Sequence, residues 1–289
     1  MNPQDLNRKS FSFELFPPKT AEGMEKLKTT VTTLNAMAPE YFSVTYGAGG
    51  STRERTFETV AWLRGQGIET APHLACIGSK REEIAEILRH FREQSIHHLV
   101  ALRGDLPSGM GAGAAGAFRY ANELVAFVRA EHGDHFRIEV AAYPECHPQA
   151  PSSAKDLENF RRKVEAGADA AITQYFYNVD AYFGFVDNCR ACGIEIAIVP
   201  GIMPITNYTQ LARFSDACGA EIPRWVRRRM EGYADDLASI RAFGHEVVLR
   251  LCRHLLEGGA PGLHFYTMNQ AGPTIRLWQD LGLPAPANG

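Results

Sequence analysis

One carboxylate near the start of the chain stands inside an apolar, aromatic-rich stretch. Glu14 belongs to the run Ser10-Phe11-Ser12-Phe13-Glu14-Leu15-Phe16, which Pro17-Pro18 ends. The run alternates poorly with polar residues and is therefore predicted to be a strand buried on both faces. Removal from water favours the neutral form of a carboxyl group, which a proton donor needs near neutral pH. This segment alone is equally compatible with Glu14 on the solvent side of an edge strand.

Polar and aromatic residues also gather where other short apolar runs end. They are Thr45-Tyr46-Gly47, His73, Arg103-Gly104-Asp105, Tyr143-Pro144-Glu145-Cys146-His147, Thr173-Gln174-Tyr175-Phe176, Pro200-Gly201-Ile202-Met203-Pro204 and Tyr266-Thr267-Met268-Asn269-Gln270. Any one of these groups is explained as well by a helix cap or a satisfied turn. Because every run ends in this way, the set as a whole predicts one shared site.

The runs that carry these residues alternate with amphipathic segments of helical length, which is the pattern of a parallel α/β sheet. The predicted strands are 11–16, 41–46, 69–74, 98–102, 138–143, 170–174, 195–199 and 263–266. The predicted helices are 22–37, 53–65, 80–94, 118–131, 153–166, 179–192, 206–218, a longer region 223–257, and 272–281. Eight strands, each followed by a helix, predict a single (β/α)8 TIM barrel over residues 1–289. The active site of such a barrel lies at the carboxyl ends of its strands, where the polar residues stand.

Composition narrows the range of partners. A net charge of -3 predicts no general nucleic-acid or membrane surface. The amino terminus lacks a signal-peptide pattern, and no apolar run approaches the length of about 18 residues expected of a membrane span, so a cytoplasmic protein is predicted. The cysteines are scattered, and Cys189-Arg190-Ala191-Cys192 without a second pair is predicted to hold ordinary helix cysteines rather than a redox or metal site. No metal site is predicted.

Several reaction classes lack their sequence signatures. No Gly-x-Gly-x-x-Gly follows the first strand, no P-loop lysine is present, and no Gly-x-Ser-x-Gly elbow appears. The predicted strands end in no lysine of the kind that a Schiff-base aldolase needs. What remains is an acid in an apolar strand, an acid beside an arginine, several aromatic rings, and the basic cluster Arg161-Arg162-Lys163. This set suits a large, flat, partly anionic cofactor.

The stretch 12–19, Ser-Phe-Glu-Leu-Phe-Pro-Pro-Lys, resembles the opening motif of the methylenetetrahydrofolate reductase family. Further motifs of that family follow in order from residue 10 to about 280: Ser43-Val44-Thr45-Tyr46-Gly47-Ala48, Ala71-Pro72-His73-Leu74, Ala101-Leu102-Arg103-Gly104-Asp105, Ala141-Ala142-Tyr143-Pro144-Glu145-Cys146-His147-Pro148, Ala171-Ile172-Thr173-Gln174-Tyr175-Phe176, Pro200-Gly201-Ile202-Met203-Pro204 and His264-Phe265-Tyr266-Thr267-Met268-Asn269. The scale matches the bacterial form, which has the catalytic domain alone.

The resemblance implies a (β/α)8 barrel that holds FAD noncovalently and is commonly a homo-oligomer. NADH or NADPH would reduce the flavin, which would then reduce 5,10-methylenetetrahydrofolate to 5-methyltetrahydrofolate by ping-pong kinetics. Glu14 would be the general acid that protonates folate N10, and Asp105 would stabilise the resulting iminium cation. Residues implied to bind substrate are Gln174, Gln210, Phe214, Tyr266 and Gln270.

The same resemblance implies a set of FAD-binding residues. They are Thr45, His73, Arg103, Gly104, Asp105, Tyr120, Ala121, Tyr143, His147, Asp156, Asn159, Arg162 and Lys163. Side-chain chemistry supports part of this set, because Arg162 and Lys163 can offset a pyrophosphate and Tyr143 can pack on a ring. The alternative for Arg161-Arg162-Lys163 is a solvated helix face. The later basic run 224–229 is predicted to be surface.

One position departs from the family pattern, and two other functions stay open. Gln270 stands where the bacterial pattern often has arginine, which removes a charge partner for the glutamate tail of folate. A barrel lyase or aldolase would require a strand-end lysine. A non-catalytic folate-binding or scaffold barrel would lose no activity when Glu14 is replaced by glutamine.

Overall fold

The computed structural model describes residues 9–46, 50–104 and 116–284. Its strands are β1 (Ser10–Leu15), β2 (Tyr41–Val44), β3 (Thr70–Ala75), β4 (His98–Leu102), β5 (Arg137–Ala142), β6 (Ala170–Thr173), β7 (Ala197–Val199), β8 (Gly201–Ile202) and β9 (Gly262–Tyr266). Its helices are α1 (Ala21–Asn35), α2 (Gly50–Gly65), α3 (Arg81–Glu93), α4 (Ala121–His132), α5 (Ser153–Glu165), α6 (Val179–Ala191), α7 (Tyr208–Cys218), α8 (Arg224–Gly232), α9 (Leu237–Glu257) and α10 (Ala271–Leu281).

The strands form one parallel sheet in the order β7-β6-β5-β4-β3-β2-β1-β9-β8. Pro200 alone separates β7 from β8, so a single extended segment pairs with β6 on one side and with β9 on the other. Proline has no N–H to donate to a ladder, but the Pro200 carbonyl still accepts from the His264 N–H at 3.0 Å. The sheet therefore closes nearly into a ring, and the predicted (β/α)8 barrel is confirmed.

Most predicted boundaries lie within about three residues of those in the structure, and two predicted elements differ in kind. The seventh predicted strand, 195–199, begins two residues later and continues past Pro200 to Ile202. The predicted helical region 223–257 is divided into α8 and α9, because Ala234 has a positive φ of 48° and Asp236 caps α9 through the N–H groups of Ala238 and Ser239. Carboxylate caps of this kind satisfy donors that a helix start leaves free.

The core has an outer and an inner part. The outer part is apolar and lies between the strands and the surrounding helices, where Phe13, Phe42 and Phe265 are fully buried. The inner part fills the barrel and contains many polar groups, among them Ser12, Tyr41, His73, Glu139 and His264. A polar barrel interior calls for hydrogen-bond partners inside the barrel, since water does not reach these groups.

None of the described helices combines the length and apolar character needed to cross a membrane.

Candidate active site

Glu14 lies at the carboxyl end of β1, inside the barrel mouth. Strand β1 pairs with β2 on one side and with β9 on the other, so the alternative of a solvent-facing edge strand is wrong. The Glu14 side chain keeps 19% of its surface exposed, while Ser12, two residues earlier on the same face, is fully buried. The carboxyl group is thus within reach of a ligand in the mouth and still largely removed from water.

The opposite face of β1 holds the strand against the helices. Phe11 and Phe13 place their rings 5.2 Å and 5.6 Å from the Trp278 ring of α10. Phe13 also lies 5.5 Å from Phe42 of β2 and 5.8 Å from Phe265 of β9. Polar side chains of β1 thus face the barrel interior and apolar ones face the helices, in strict alternation, so the prediction that polar and apolar residues alternate poorly is wrong. The predicted burial of both faces is confirmed for Ser12 and Phe13.

The segment after β9 fixes the end of β1. The Thr267 hydroxyl donates to the Glu14 carbonyl at 2.6 Å, and the Asn269 amide group both donates to the Phe16 carbonyl and accepts from the Phe16 N–H, at 2.8 Å and 3.0 Å. Met268 and Asn269 have φ values of 51° and 54°. A left-handed conformation is costly for a side chain such as methionine. The segment has this unfavourable conformation where its side chains bind the backbone at Glu14 and Phe16.

Two buried imidazoles face the Glu14 carboxyl group. His73 Nε2 of β3 lies 3.4 Å from Glu14 Oε2, and His264 Nε2 of β9 lies 3.6 Å from the same oxygen. Neither nitrogen has a hydrogen-bond partner among the described residues. Burial lowers the pKa of His73, which Glu14 only partly offsets, so this ring is neutral near pH 7. A carboxyl group between two unsatisfied imidazole nitrogens is suited to proton transfer.

A second carboxylate lies deeper in the barrel. Glu139 of β5 is 1% exposed, accepts from the Tyr41 hydroxyl at 2.6 Å, and lies 3.4 Å from His98 Nε2 and 3.6 Å from Arg137 Nη2. Burial by itself would raise the pKa of Glu139, but His98 and the Tyr41 hydrogen bond outweigh it and the pKa lies below its ordinary value. Glu139 is therefore ionised, and the protein itself supplies its partners.

The residues predicted to bind FAD come from consecutive elements. The ends of β2, β3 and β4 carry Thr45, His73, Arg103 and Gly104, and α4 begins with Tyr120 and Ala121. The segment after β5 carries Tyr143 and His147, and α5 carries Asp156, Asn159, Arg162 and Lys163. Asp105 lies outside the described residues, as does most of the predicted Gly/Ala loop 109–117. The elements run in order round one side of the barrel.

Local contacts differ among these residues. Asp156 accepts from the His147 N–H at 2.8 Å, and the rings of Tyr143 and His147 are 4.5 Å apart. Arg103 donates to the Gln149 side chain at 2.6 Å. Gly104 has a φ of 84°, and a Cβ there would lie 2.9 Å from the Ala75 Cβ, so the turn after β4 requires glycine. A cavity of about 440 Å³ beside Tyr143 and Asp156 extends between α5 and α6.

The basic cluster 161–163 divides into two kinds of residue. Arg161 and Arg162 are half exposed and pair with Glu165 and Glu158 on their own helix. Lys163 instead donates to the Ala141 carbonyl of β5, and no described carboxylate lies within ion-pair distance of it. Burial lowers the pKa of Lys163 to about 8, against a smaller opposing effect of Asp156. The solvated-face alternative thus describes the two arginines but not Lys163.

The residues predicted to bind substrate surround the other side of the mouth. The Tyr266 hydroxyl donates to the Thr173 carbonyl at 2.8 Å, and the Gln174 side chain accepts from the Tyr175 N–H at 3.0 Å. Gln210 and Phe214 lie on α7, one turn apart. Gln270 precedes α10 and lines a cavity of about 320 Å³ together with Arg241 and Arg276. No contact of the described residues tests these roles.

The structure also describes the cysteines, the candidate metal ligands and the basic run 224–229. All six cysteines are free, and burial raises the pKa of Cys189 to about 12, which disfavours a reactive thiolate. In the described ranges, no group of three or more His, Cys, Asp or Glu side chains is placed to hold a metal ion. The arginines of α8 are exposed while Val226 and Met230 face the core, as predicted for a surface helix.

The sequence-based prediction missed the polar interior below Glu14. Ser12, Tyr41, Glu139 and His264 lie on four strands, and their contacts join residues up to 252 positions apart. The signal available was the strict alternation of Ser10, Ser12 and Glu14 with apolar residues, which marks a polar inward face.

Comparison with known proteins gives consistent matches. Residues 2–282 match the family model described as methylenetetrahydrofolate reductase. The chain is 40% identical over 273 residues to the 5,10-methylenetetrahydrofolate reductase of Escherichia coli (strain K12), covering 94% of this chain and 90% of that protein. It is 38% identical over 288 residues to the probable methylenetetrahydrofolate reductase (NADH) of Oryza sativa subsp. japonica, covering 96% of this chain and 48% of the plant protein.

A solved structure supports the fold. It is an uncharacterized protein from Clostridium thermocellum that binds two copies of 5-methyl-5,6,7,8-tetrahydrofolic acid. It matches with a TM-score of 0.67 over 97% of this chain and 96% of that one, at 17% sequence identity.

Proposed function

The chain belongs to the methylenetetrahydrofolate reductase family, and from this premise we propose that it reduces 5,10-methylenetetrahydrofolate to 5-methyltetrahydrofolate, with a reduced nicotinamide as the hydride source and noncovalently bound FAD as the carrier. The observation that carries the proposal is Glu14, a partly buried carboxyl group at the barrel mouth between His73 and His264. The folate bound by the Clostridium thermocellum protein agrees with a folate site in a barrel of this fold.

The role of Glu14 follows from the chemistry of the folate ring. The five-membered ring opens to an iminium cation when N10 is protonated, and only the open cation is a good hydride acceptor. A carboxylic acid fixed at the mouth supplies that proton, while the Thr267 and Asn269 contacts hold its backbone in place. Asp105 would then stabilise the cation by its negative charge.

The described residues include the aromatic and cationic side chains that an FAD site needs. Tyr120 exposes 57% of its surface at the start of α4 and offers a ring for stacking. Burial lowers the pKa of the Lys163 ammonium group more than Asp156 raises it, and no described carboxylate lies within ion-pair distance of it. An anionic pyrophosphate near α5 would supply the missing partner. When bound, FAD would accept a hydride from the nicotinamide and later give one to the folate.

The nicotinamide and the folate would use the same side of the mouth in turn, which implies ping-pong kinetics. Gln174 would hydrogen-bond either substrate and Phe214 would stack on it. Gln270 would contact the glutamate tail of folate, and Arg241 and Arg276 in the same cavity offer positive charge that Gln270 lacks. Homologues in plants are named NADH-dependent, which favours NADH over NADPH.

Two other functions make different predictions. A barrel lyase or aldolase would need a lysine in the mouth, but the described strands contain none, and Lys163 belongs to a helix. A non-catalytic folate-binding barrel would have no use for flavin.

The proposal is tested with purified protein saturated with FAD. We expect bound flavin absorbance, anaerobic bleaching on addition of NADH or NADPH, and recovery of the oxidised spectrum when 5,10-methylenetetrahydrofolate is added. Titration with each nicotinamide separately gives the preference. Protein that binds no FAD, or reduced flavin that methylenetetrahydrofolate does not reoxidise, would show the proposal to be wrong.

A further inference from the structure

Ser12 lies between two polar neighbours in one layer of the barrel interior. Tyr41 of β2 and His264 of β9 are its register partners on either side. Burial and Glu139 raise the pKa of Tyr41 well above its ordinary value, and the Ser12 hydroxyl lowers it as a hydrogen-bond partner. The Ser12 oxygen also lies 2.7 Å from His264 Nδ1. The layer above contains Ser43, Glu14 and Tyr266 in the same arrangement. The lower layer therefore contacts the Glu14 carboxyl group through His264.

The donor and acceptor roles in the lower layer are set by the anion at its end. Glu139 is ionised and accepts the Tyr41 proton at 2.6 Å. With its proton committed there, the Tyr41 oxygen can only accept, so Ser12 must donate to Tyr41. The Ser12 oxygen then has lone pairs alone to offer to His264 Nδ1, and Nδ1 must carry the imidazole proton.

The other ring nitrogen is fixed by the same reasoning. A neutral imidazole has one N–H and one bare nitrogen, so a proton on Nδ1 leaves Nε2 as an acceptor. His264 Nε2 is fully buried, has no hydrogen-bond partner among the described residues, and lies 3.6 Å from Glu14 Oε2. This separation is longer than a hydrogen bond, but contacts of catalytic groups shorten when a substrate binds.

We propose that His264 is a positioning residue for Glu14: the chain Glu139–Tyr41–Ser12–His264 fixes the imidazole as its Nδ1–H tautomer, and the bare Nε2 accepts the proton of a protonated Glu14. The acid form that donates to folate is thereby stabilised from inside the barrel. The inference about the acid rests on the proposed function, whereas the tautomer of His264 does not.

Other titratable groups also face Glu14. His73 of β3 lies 3.4 Å away and is neutral near pH 7, since burial lowers its pKa. Tyr266 of β9 is also neutral, because burial raises its pKa well above the ordinary value. Glu139 is the anion of this group, and its charge is matched by Tyr41, His98 and Arg137.

The direct test is the tautomer of His264 in the FAD-bound protein labelled with ¹⁵N-histidine. His264→Gln identifies the signals by their loss. We expect a protonated Nδ1 and a bare Nε2 in the wild-type protein. In Tyr41→Phe the Ser12 hydroxyl is released to donate to Nδ1, and the proton should move to Nε2. A wild-type Nε2–H tautomer, or an imidazolium at neutral pH, would overturn the proposal.

A second test uses a matched pair of serine substitutions. Ser12→Ala breaks the chain, whereas Ser43→Ala removes an equally buried hydroxyl that has no hydrogen-bond partner among the described residues. Of the two half-reactions, only flavin reoxidation by methylenetetrahydrofolate needs the proton of Glu14. In Ser12→Ala we expect the rate of reoxidation to fall about tenfold, the equivalent of one lost hydrogen bond, with flavin reduction by the nicotinamide unchanged.

The outcomes separate the two proposals. Ser43→Ala should keep the wild-type rates of both half-reactions. An equal reoxidation rate in Ser12→Ala and the wild type, or an equal loss in both half-reactions of Ser12→Ala, would contradict the positioning role. If the wild-type protein fails to reduce folate, the proposed function is wrong, and the histidine spectra still decide whether the hydrogen-bond chain exists.

Discussion

Glu14 and Glu139 line the interior of the same barrel, yet they are in opposite situations. Glu139, at the inner end, is surrounded by Tyr41, His98 and Arg137, and its pKa is lowered in spite of complete burial. Glu14, at the mouth, has no side-chain hydrogen bond within the described residues and faces two unsatisfied imidazole nitrogens. Glu139 differs from Glu14 in the hydrogen bond from Tyr41 and the nearby Arg137, because each carboxyl group has a buried imidazole nitrogen 3.4 Å away. A buried carboxylate that is hydrogen-bonded and charge-paired within the protein is costly to disrupt. One that lacks partners is available to a ligand.

Two cationic side chains, Arg137 and Lys163, also differ in whether a carboxylate pairs with them. Arg137 pairs with Glu40 at 2.7 Å and with Glu139, which keeps its pKa above the ordinary value despite partial burial. Lys163 has no described carboxylate in ion-pair distance, and burial lowers its pKa to about 8. The unmatched charge again lies on the side where a cofactor is proposed.

The largest expected effect on stability distinguishes the two glutamates directly. Glu139→Gln removes the charge that Tyr41, His98 and Arg137 surround, and should lower the free energy of unfolding by about 2–4 kcal/mol. Glu14→Gln removes a carboxyl group without hydrogen bonds and should change it by less than about 1 kcal/mol. Chemical denaturation of both variants at neutral pH measures the difference. Equal losses would mean that the two sites are not distinct.

The same contrast predicts the response to acid. The pKa of Glu139 is lowered in the folded protein, so its contribution is present above its ordinary pKa of 4.5 and is lost as pH falls below that value. The wild-type protein should lose stability more steeply in this range than Glu139→Gln. Denaturation curves collected over a pH series test this, and parallel curves for both proteins would argue against a matched anion at Glu139.

A smaller effect is expected from the segment that holds β1. Asn269→Ala removes two hydrogen bonds to Phe16 and should cost about 1–2 kcal/mol of unfolding free energy. Because Glu14 would also move, folate turnover should fall roughly tenfold. Asn178→Ala is the matched control, since it removes the cap of α6 at a similar stability cost without touching β1. Equal turnover in the two variants would contradict the positioning role.

The smallest effect concerns cofactor affinity. If the pyrophosphate of FAD pairs with Lys163, affinity should be constant below pH 8 and weaken above it, by up to about tenfold per pH unit, as the lysine loses its proton before binding. Fluorescence titration of FAD over a pH series measures this dependence. Lys163→Gln should bind FAD more weakly with no such dependence, and a pH-dependent Lys163→Gln would exclude Lys163 as the titrating group.

Sequence patterns predicted the barrel and most of its elements, because hydrophobic period and strand-end residues are local properties. Strand 98–102 has the predicted bounds, and Glu14 stands at the end of β1 as expected. Pairings between distant strands could not be predicted in this way. Ser12 and His264 meet because β1 and β9 are neighbours in a closed sheet, and nothing near either residue specifies that contact.

For residues around the barrel mouth, the sequence predicted which residue types take part but not the contacts that they make. Asn269 belonged to a recognised motif, yet its bonds to Phe16 depend on two left-handed residues in a row, Met268 and Asn269, which the local sequence does not favour. Lys163 was grouped with two arginines, and only the orientation of α5 separates its buried ammonium group from their exposed ones. Tertiary packing decided both cases.

The central claim is that Glu14 supplies a proton to the folate and takes no part in flavin reduction. Stopped-flow measurement of the two half-reactions in Glu14→Gln tests it most directly, with Ser43→Ala as the reference for a buried substitution beside Glu14 that removes no hydrogen bond among the described residues. We expect flavin reduction by the nicotinamide to stay within about twofold of wild type and reoxidation by methylenetetrahydrofolate to fall by about 10²–10⁴-fold. Unchanged reoxidation, or equal loss in both half-reactions, would contradict the claim.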